Sequence, residues 1–299
     1  MLNRVRKLNI QICLFCLIKF LPSFGQEVIQ TQIDQVTKTI SGNVGVYAYV
    51  IEGSDTISLN GEKAFPMQSV YKFPIAMAIL DQVDKGNLSL NTKINIEKSE
   101  YIPKNGYSPI RDKFPNGVTL TIGEILKRNI ESDGTACDVL LRLLGGPKKA
   151  ELYIHSIGVR NIAISTTEMV QIANDTIQYQ NWVTPKAMCQ LLSIFYNTQV
   201  LSKKSKALLT QLMLVSNPYF DKRIKALLPM GTIVAHKTGT AGTFNGLTRA
   251  TNDVGIITLP NGNHLVLSVF ISDSYAVPQD REMVISKISK ILFEKYRQL

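Results

Sequence analysis

Apolar residues change their spacing twice along this chain, from two to three-or-four and back to two, and that order limits the fold more than any other feature. Val44, Val46, Ala48 and Val50 alternate through Asn43 to Glu52, Gly53-Ser54-Asp55 turns, and Thr56 to Leu59 returns, which is a β-hairpin. From about Val70 to Asn197 the pattern is helical, broken by loops at Pro103 to Gly106 and Pro115 to Gly117. Alternation resumes over Thr232 to His236, Val254 to Leu259 and, after a Pro260-Asn261-Gly262 turn, Leu265 to Ile271. Arg281 to Gln298 then sets Val284, Ile288, Ile291 and Leu292 on one helical face that can close over a sheet.

Strands from both ends of the chain therefore share one antiparallel sheet, and the helical middle is an insertion. The expected class is α+β: an antiparallel sheet flanked by helices, a three-layer α/β/α lobe from residues 26–66 plus 215–299, with an inserted all-α lobe from 67–214 and a cleft between them. A chain of 299 residues with 45% apolar and 19% charged residues can bury a core for both.

The first 25 residues stand apart. Arg4, Arg6 and Lys7 precede an apolar run from Ile10 to Leu21, and Ser23-Phe24-Gly25 supplies a small-x-small cleavage site. The run is shorter and more polar than a membrane span of about 20 apolar residues, so export to the periplasm with cleavage after Gly25 is expected. Removing it takes four basic and no acidic residues, and the net charge falls from +10 to +6. The remaining Lys and Arg are scattered, which leaves nucleic-acid binding without support. Cys137 and Cys189 remain after cleavage; an oxidising compartment permits a disulfide, but both sit in apolar helical patterns and read as buried free thiols.

Three short motifs carry the chemistry. Ser69-Val70-Tyr71-Lys72 opens the helical middle, and a spacing of three puts hydroxyl and amine on one helix face. Alone it equally describes an N-cap serine followed by a surface lysine. Ser132-Asp133-Gly134 lies between two helical stretches, where a loop serine can relay a proton, although Ser-Asp-Gly is also common turn chemistry. Lys237-Thr238-Gly239-Thr240 ends a strand from Ile233; alternation sends Lys237 and Gly239 to one face and Thr238 and Thr240 to the other, and Gly239 permits close approach of a ligand.

Behind an export signal, in that order and at those element boundaries, the three motifs resemble the penicillin-binding protein and serine β-lactamase superfamily along the whole mature chain. Ser165-Thr166-Thr167-Glu168, ten residues before Gln178-Tyr179-Gln180-Asn181-Trp182, resembles the Ω-loop of class A β-lactamases, which makes Glu168 the candidate base for deacylation. Ser165 with Glu168 also reads as a helix capping box. Ala235-His236-Lys237-Thr238-Gly239 and Thr251-Asn252-Asp253-Val254-Gly255 resemble the VEB/PER branch of that class. Gly134 stands where the class more often has Asn, and Glu168-Met169-Val170-Gln171-Ile172 lacks the side chain that commonly helps to hold the hydrolytic water. Thr251 falls where an arginine commonly binds the substrate carboxylate, and Arg223 resembles its substitute.

The resemblance implies a monomeric, cofactor-free periplasmic enzyme that opens β-lactams through an acyl-enzyme on Ser69. Lys72, or Glu168 through water, takes the hydroxyl proton; the backbone amides of Ser69 and Thr240 stabilise the oxyanion; Ser132 protonates the departing nitrogen; Lys237 with Thr238, and Arg223, attract the substrate carboxylate; Gly134 and Tyr107 border the substrate. Tyr107 reads equally as a cleft-rim aromatic or a packed loop residue. His155, His236 and His264 show no metal-ligand spacing, and His236 is expected to face away from the cleft. A D,D-peptidase or a β-lactam sensor would share Ser69, Lys72, Ser132 and Lys237 without needing Glu168.

Overall fold

The computed structural model describes residues 24–215 and 221–298. The leader expected over residues 1–25 falls outside them except for Phe24 and Gly25, where the first helix begins. The elements used below are α1 (Phe24–Thr37), β1 (Asn43–Val50), β2 (Thr56–Leu59), α2 (Lys72–Asp84), α3 (Ile122–Ile130), α4 (Gly134–Leu144), α5 (Glu168–Ala173), α6 (Pro185–Asn197), β3 (Val234–Thr240), β4 (Thr251–Thr258), β5 (His264–Ser272) and α7 (Pro278–Tyr296).

The sheet runs in the order β2-β1-β5-β4-β3, every neighbouring pair antiparallel, so strands from both ends of the chain do share it. Its register explains the alternation. Val44, Val46, Ala48 and Val50 lie opposite Ile271, Val269, Leu267 and Leu265. That face packs on Ile33 of α1 and on Val284, Ile288 and Leu292 of α7. The intervening residues Val266, Phe270, Val254 and Ile256 face the helical middle and join its core. β5, with helices over both faces, is buried along almost its whole length. Gly45 is required where the layers meet: a Cβ there would lie 2.4 Å from the Phe65 ring, which stacks on Phe270.

α2 runs through the centre of the helical region and is buried on all sides from Lys72 to Asp81, so its sequence is apolar without a polar stripe. Thr121 and Glu124 form a capping box at the start of α3. The Asp133 side chain caps α4 by accepting from Ala136 N, and Gly145 ends that helix in the left-handed region at φ +88°. α7 starts at Pro278, three residues before the amphipathic pattern at Arg281, because proline's fixed φ suits a first helical position that carries no apolar signal. Cys137 and Cys189 are both buried and free.

Candidate active site

The turn that presents Ser69 is held from three directions. Gln68–Tyr71 is one turn of 3-10 helix leading into α2. Gln68 takes φ +47°, a left-handed conformation that costs a non-glycine residue on the order of 1–3 kcal/mol and persists only when its surroundings enforce it. Asn252 Nδ2 of β4 donates to Pro66 O and Met67 O at 2.8 and 3.0 Å, and Met67 N donates to Asn181 O at 2.9 Å. Gly239 lets β3 close from the other side: a Cβ there would stand 2.5 Å from Met67 O and 3.2 Å from Ser69 N.

Lys72 is wholly buried, and its Nζ donates to Ser69 Oγ at 2.9 Å and pairs with Glu168 Oε1. Burial opposes the charge on this ammonium, but the Glu168 carboxylate outweighs it and holds the pKa above the ordinary lysine value. Asn129 Nδ2 fixes the helix start by donating to Lys72 O at 2.9 Å.

Ser132 also takes a left-handed conformation, φ +74°. The loop that imposes it is tied down by Ser132 N to Asn129 O, Asp133 N to Arg128 O, and the Asp133 carboxylate, which accepts from Ser108 Oγ and from the Ile110 and Ala136 amides. Lys237 Nζ reaches across the cleft from β3 to Ser132 Oγ at 2.6 Å and donates to Thr238 O at 2.8 Å. Burial, then the nearby charge of Lys72, pushes the Lys237 pKa down to about 7. His236 turns the other way, with Nδ1 3.0 Å from Asp253 Oδ1.

Glu168 opens α5, whose N-cap is Thr167; Ser165 stands outside the helix and gives its amide to Asn181 Oδ1, so the Ser165 capping box is not formed. Asp138 of α4 accepts the Glu168 and Met169 amides at 2.7 and 2.9 Å and thereby fixes the backbone that carries the Glu168 carboxylate. Burial raises the Asp138 pKa to about 6. Gly134 lies beside this carboxylate, its amide donating to Tyr107 O, and the space an Asn side chain would fill is taken by Ile102 Cδ1, 2.5 Å from a would-be Cβ.

These groups border one open cavity of about 630 Å³, whose walls include Ser69, Ser132, Glu168, Thr238, Thr240 and Tyr107. Tyr107 is 57% exposed and stands at the rim. Lys72, Lys237 and Gly134 are not part of that wall, and Lys237 borders a neighbouring cavity with Tyr107 and Thr238. Gln68, Asn105, Gly106, Ile172, Ala241 and Gly242 complete it, and the sequence reading gave none of them a place there. Arg223 is buried behind Thr240, donating to Thr240 Oγ1 at 2.6 Å, Asn252 O at 2.7 Å and Gly239 O at 3.1 Å. A second arginine was not anticipated: Arg281 of α7 donates to Thr251 Oγ1 at 2.8 Å, and Thr251 is paired with Thr240. Only its place ahead of an apolar helical run hinted at it. Among the described residues no group of His, Cys, Asp and Glu has the arrangement of a metal site.

Residues 28–296 match the family model described as the beta-lactamase enzyme family. Beta-lactamase VEB-1 of Pseudomonas aeruginosa is 44% identical over 268 residues, 89% of either chain. The extended-spectrum beta-lactamase PER-1 of the same organism is 35% identical over 277 residues, 92% of this chain and 89% of that one. Among solved structures, TLA-1 extended-spectrum beta-lactamase superposes with a TM-score of 0.88 at 42% identity, covering 91% of this chain and 99% of the other. A beta-lactamase from Chitinophaga pinensis gives 0.87 at 42%, covering 90% and 99%. Matched by the family model over nearly its whole length and folded like those structures, this chain belongs to the β-lactamase enzyme family, among the class A serine enzymes.

Proposed function

We propose that this chain hydrolyses the β-lactam amide of penicillins and cephalosporins through an acyl-enzyme on Ser69, conferring resistance to them. One observation carries the assignment of roles: Ser69 Oγ lies 2.9 Å from Lys72 Nζ, which is itself paired with Glu168. In acylation Ser69 Oγ bonds to the lactam carbonyl carbon and the ring C–N bond breaks. The hydroxyl proton passes to Lys72 or, through water, to Glu168. The raised pKa of Lys72 favours the Glu168 route, because a protonated amine has no lone pair to offer. Ser132 gives its proton to the departing nitrogen and recovers one from Lys237, 2.6 Å away. The amides of Ser69 and Thr240 stabilise the oxyanion, at about 3–4 kcal/mol per donor. Glu168 releases its proton to solvent and Lys237 regains one from it; Glu168 then deprotonates the water that attacks the ester carbon, the ester C–O bond breaks, and Glu168 returns that proton to the departing Ser69 Oγ.

Thr238, Thr240 and Lys237 receive the substrate carboxylate in this reading, with Arg223 acting from behind Thr240. Tyr107 borders the substrate at the rim, and Gly134 leaves the acylamino group without a side-chain amide. A bias towards cephalosporins rests on the likeness to enzymes whose names carry the words extended-spectrum. We further propose two lobes, 26–66 plus 215–299 and 67–214, meeting at the cleft, and a monomeric enzyme exported to the periplasm after cleavage at Gly25. The basic and apolar leader supports export, and no described helix is long and apolar enough to cross a membrane.

Turnover of residues 26–299 with a chromogenic cephalosporin, and mass spectrometry of the Glu168→Ala variant, test the reading. Rapid turnover by the parent with acyl-Ser69 accumulating in the variant is expected. Stoichiometric acylation of the parent without turnover would instead make it a peptidase or a sensor.

A further inference from the structure

Two connectors of the sheet grip the loop that follows Glu168. Arg249, between the Leu247–Thr248 strand and β4, pairs its Nε with the Asp175 carboxylate, donates from Nη1 to Tyr179 Oη at 3.2 Å, and stands 5.6 Å from that ring's centroid. Tyr179 Oη donates in turn to Asp273, just past β5. Asp273 takes φ +56°, and its neighbour Ser274 exchanges two backbone hydrogen bonds of 2.9 Å with Thr248, so both connectors are themselves joined.

The contacts run on towards the nucleophile. Asp175 also accepts from Gln178 Nε2 at 2.8 Å, and Gln178, almost fully buried, accepts from Gln68 Nε2 at 2.7 Å. Gln68 lines the cavity and precedes Ser69 in a left-handed conformation that needs outside support. The path Arg249–Asp175–Gln178–Gln68 thus ends one residue from the reacting hydroxyl. Asp175 also lies two residues beyond the end of the helix that begins at Glu168.

We infer that Arg249 is a positioning residue for this reaction: by pinning Asp175 and Tyr179 it holds the Glu168 loop and Gln68 in the geometry that deacylation requires. A partly exposed ion pair contributes little to stability, so a purely structural Arg249 would leave the folded enzyme's kinetics unchanged. A positioning role shows in the kinetics, because a misplacement of about 1 Å can slow a step by up to about 100-fold.

The inference rests on the acyl-enzyme reading above, so the parent enzyme is assayed beside each variant; a parent that acylates without turnover would count against that reading alone. In Arg249→Met, kcat for a cephalosporin should fall by roughly tenfold to a hundredfold. KM should fall with it, and acyl-Ser69 should accumulate in the steady state by mass spectrometry, the signature of slowed deacylation. Arg249→Lys should recover part of kcat. Asp175→Asn should reproduce the loss, with the double variant no worse than either single one. Tyr179→Phe, which loses one hydroxyl only, supplies the same readout if Arg249→Met does not fold. Folded variants with parental kcat and no accumulated acyl-enzyme would overturn the inference, whatever their melting temperatures.

Discussion

His236 and Lys237 are neighbours on β3 whose side chains part, one to Asp253 at 3.0 Å and the other to Ser132 at 2.6 Å. Their proton affinities part as well. Burial opposes a charged His236, but the Asp253 and Asp221 carboxylates on its two ring nitrogens together outweigh it and raise the pKa from 6.5 to about 9. Burial lowers that of Lys237 from 10.5 to about 7.

The two shifts have opposite linkage. His236 is protonated only in the folded state between 6.5 and about 9, so its contribution to stability is full below 6.5 and lost as pH rises through about 9. Lys237 is protonated only in the unfolded state between about 7 and 10.5, so stability rises with pH across that window. Each slope is about 1.4 kcal/mol per pH unit at most, and between pH 7 and 9 they oppose each other. Urea unfolding should therefore give a nearly flat parent curve over that range. His236→Gln should gain stability as pH rises and Lys237→Met should lose it. Parallel curves for all three proteins would contradict the assignment.

The Lys237 pKa also predicts a limb in the pH–rate profile. A neutral Lys237 neither attracts a carboxylate nor reprotonates Ser132, so kcat/KM for an anionic β-lactam should fall as pH rises through about 7 in the free enzyme. Lys237→Arg keeps its charge throughout, so its profile, though lower, should lack that limb. A parent profile level from pH 6 to 9 would rule this out.

Features written into local spacing were legible without the structure. The sheet and the terminal helix follow from periods of two and three-to-four, and the Ser69, Ser132 and Lys237 motifs, each a run of adjacent residues, stand out through their resemblance to a known superfamily. What escaped is assembled from distant single residues. Asn252 holds the Pro66–Met67 turn from 185 residues away, Asp138 holds Glu168 from 30 away, and Arg281 meets Thr251 through a helix that closes over the sheet. Nor does any local pattern announce a left-handed Gln68 or Ser132, since the conformation is imposed by the surrounding hydrogen bonds.

Gly134 illustrates such a distant dependence. Its missing side chain is compensated by Ile102, whose Cδ1 fills the place, with Glu168 Cγ 3.4 Å from the would-be Cβ. Gly134→Asn should cost about 1–3 kcal/mol through overpacking and lower kcat by displacing Glu168. Ile102→Val removes the clashing carbon and alone should cost about 0.5–1.5 kcal/mol. Combined, the two should be less destabilising than their sum, with a lower KM for acylamino-bearing penicillins than the parent. Simple additivity in a double-mutant cycle would show that Ile102 does not govern the site.

Gly239 makes the stricter demand, because its close neighbours are backbone atoms that cannot swing aside. A Cβ would meet Met67 O at 2.5 Å, Val70 N at 3.1 Å and Ser69 N at 3.2 Å. Gly239→Ala must therefore move β3 away from the Ser69 turn, and with it the Thr240 amide on the far side of the cleft. Losing one oxyanion donor costs about 100- to 1000-fold in kcat, and the loss should lie in that range. Stability should fall by only about 1–3 kcal/mol, since the displaced segment is an edge strand. Thr240→Ser, which leaves the backbone approach untouched, should stay within tenfold of the parent. If Gly239→Ala kept parental kcat, the short separation between β3 and the Ser69 turn would not be what positions the oxyanion.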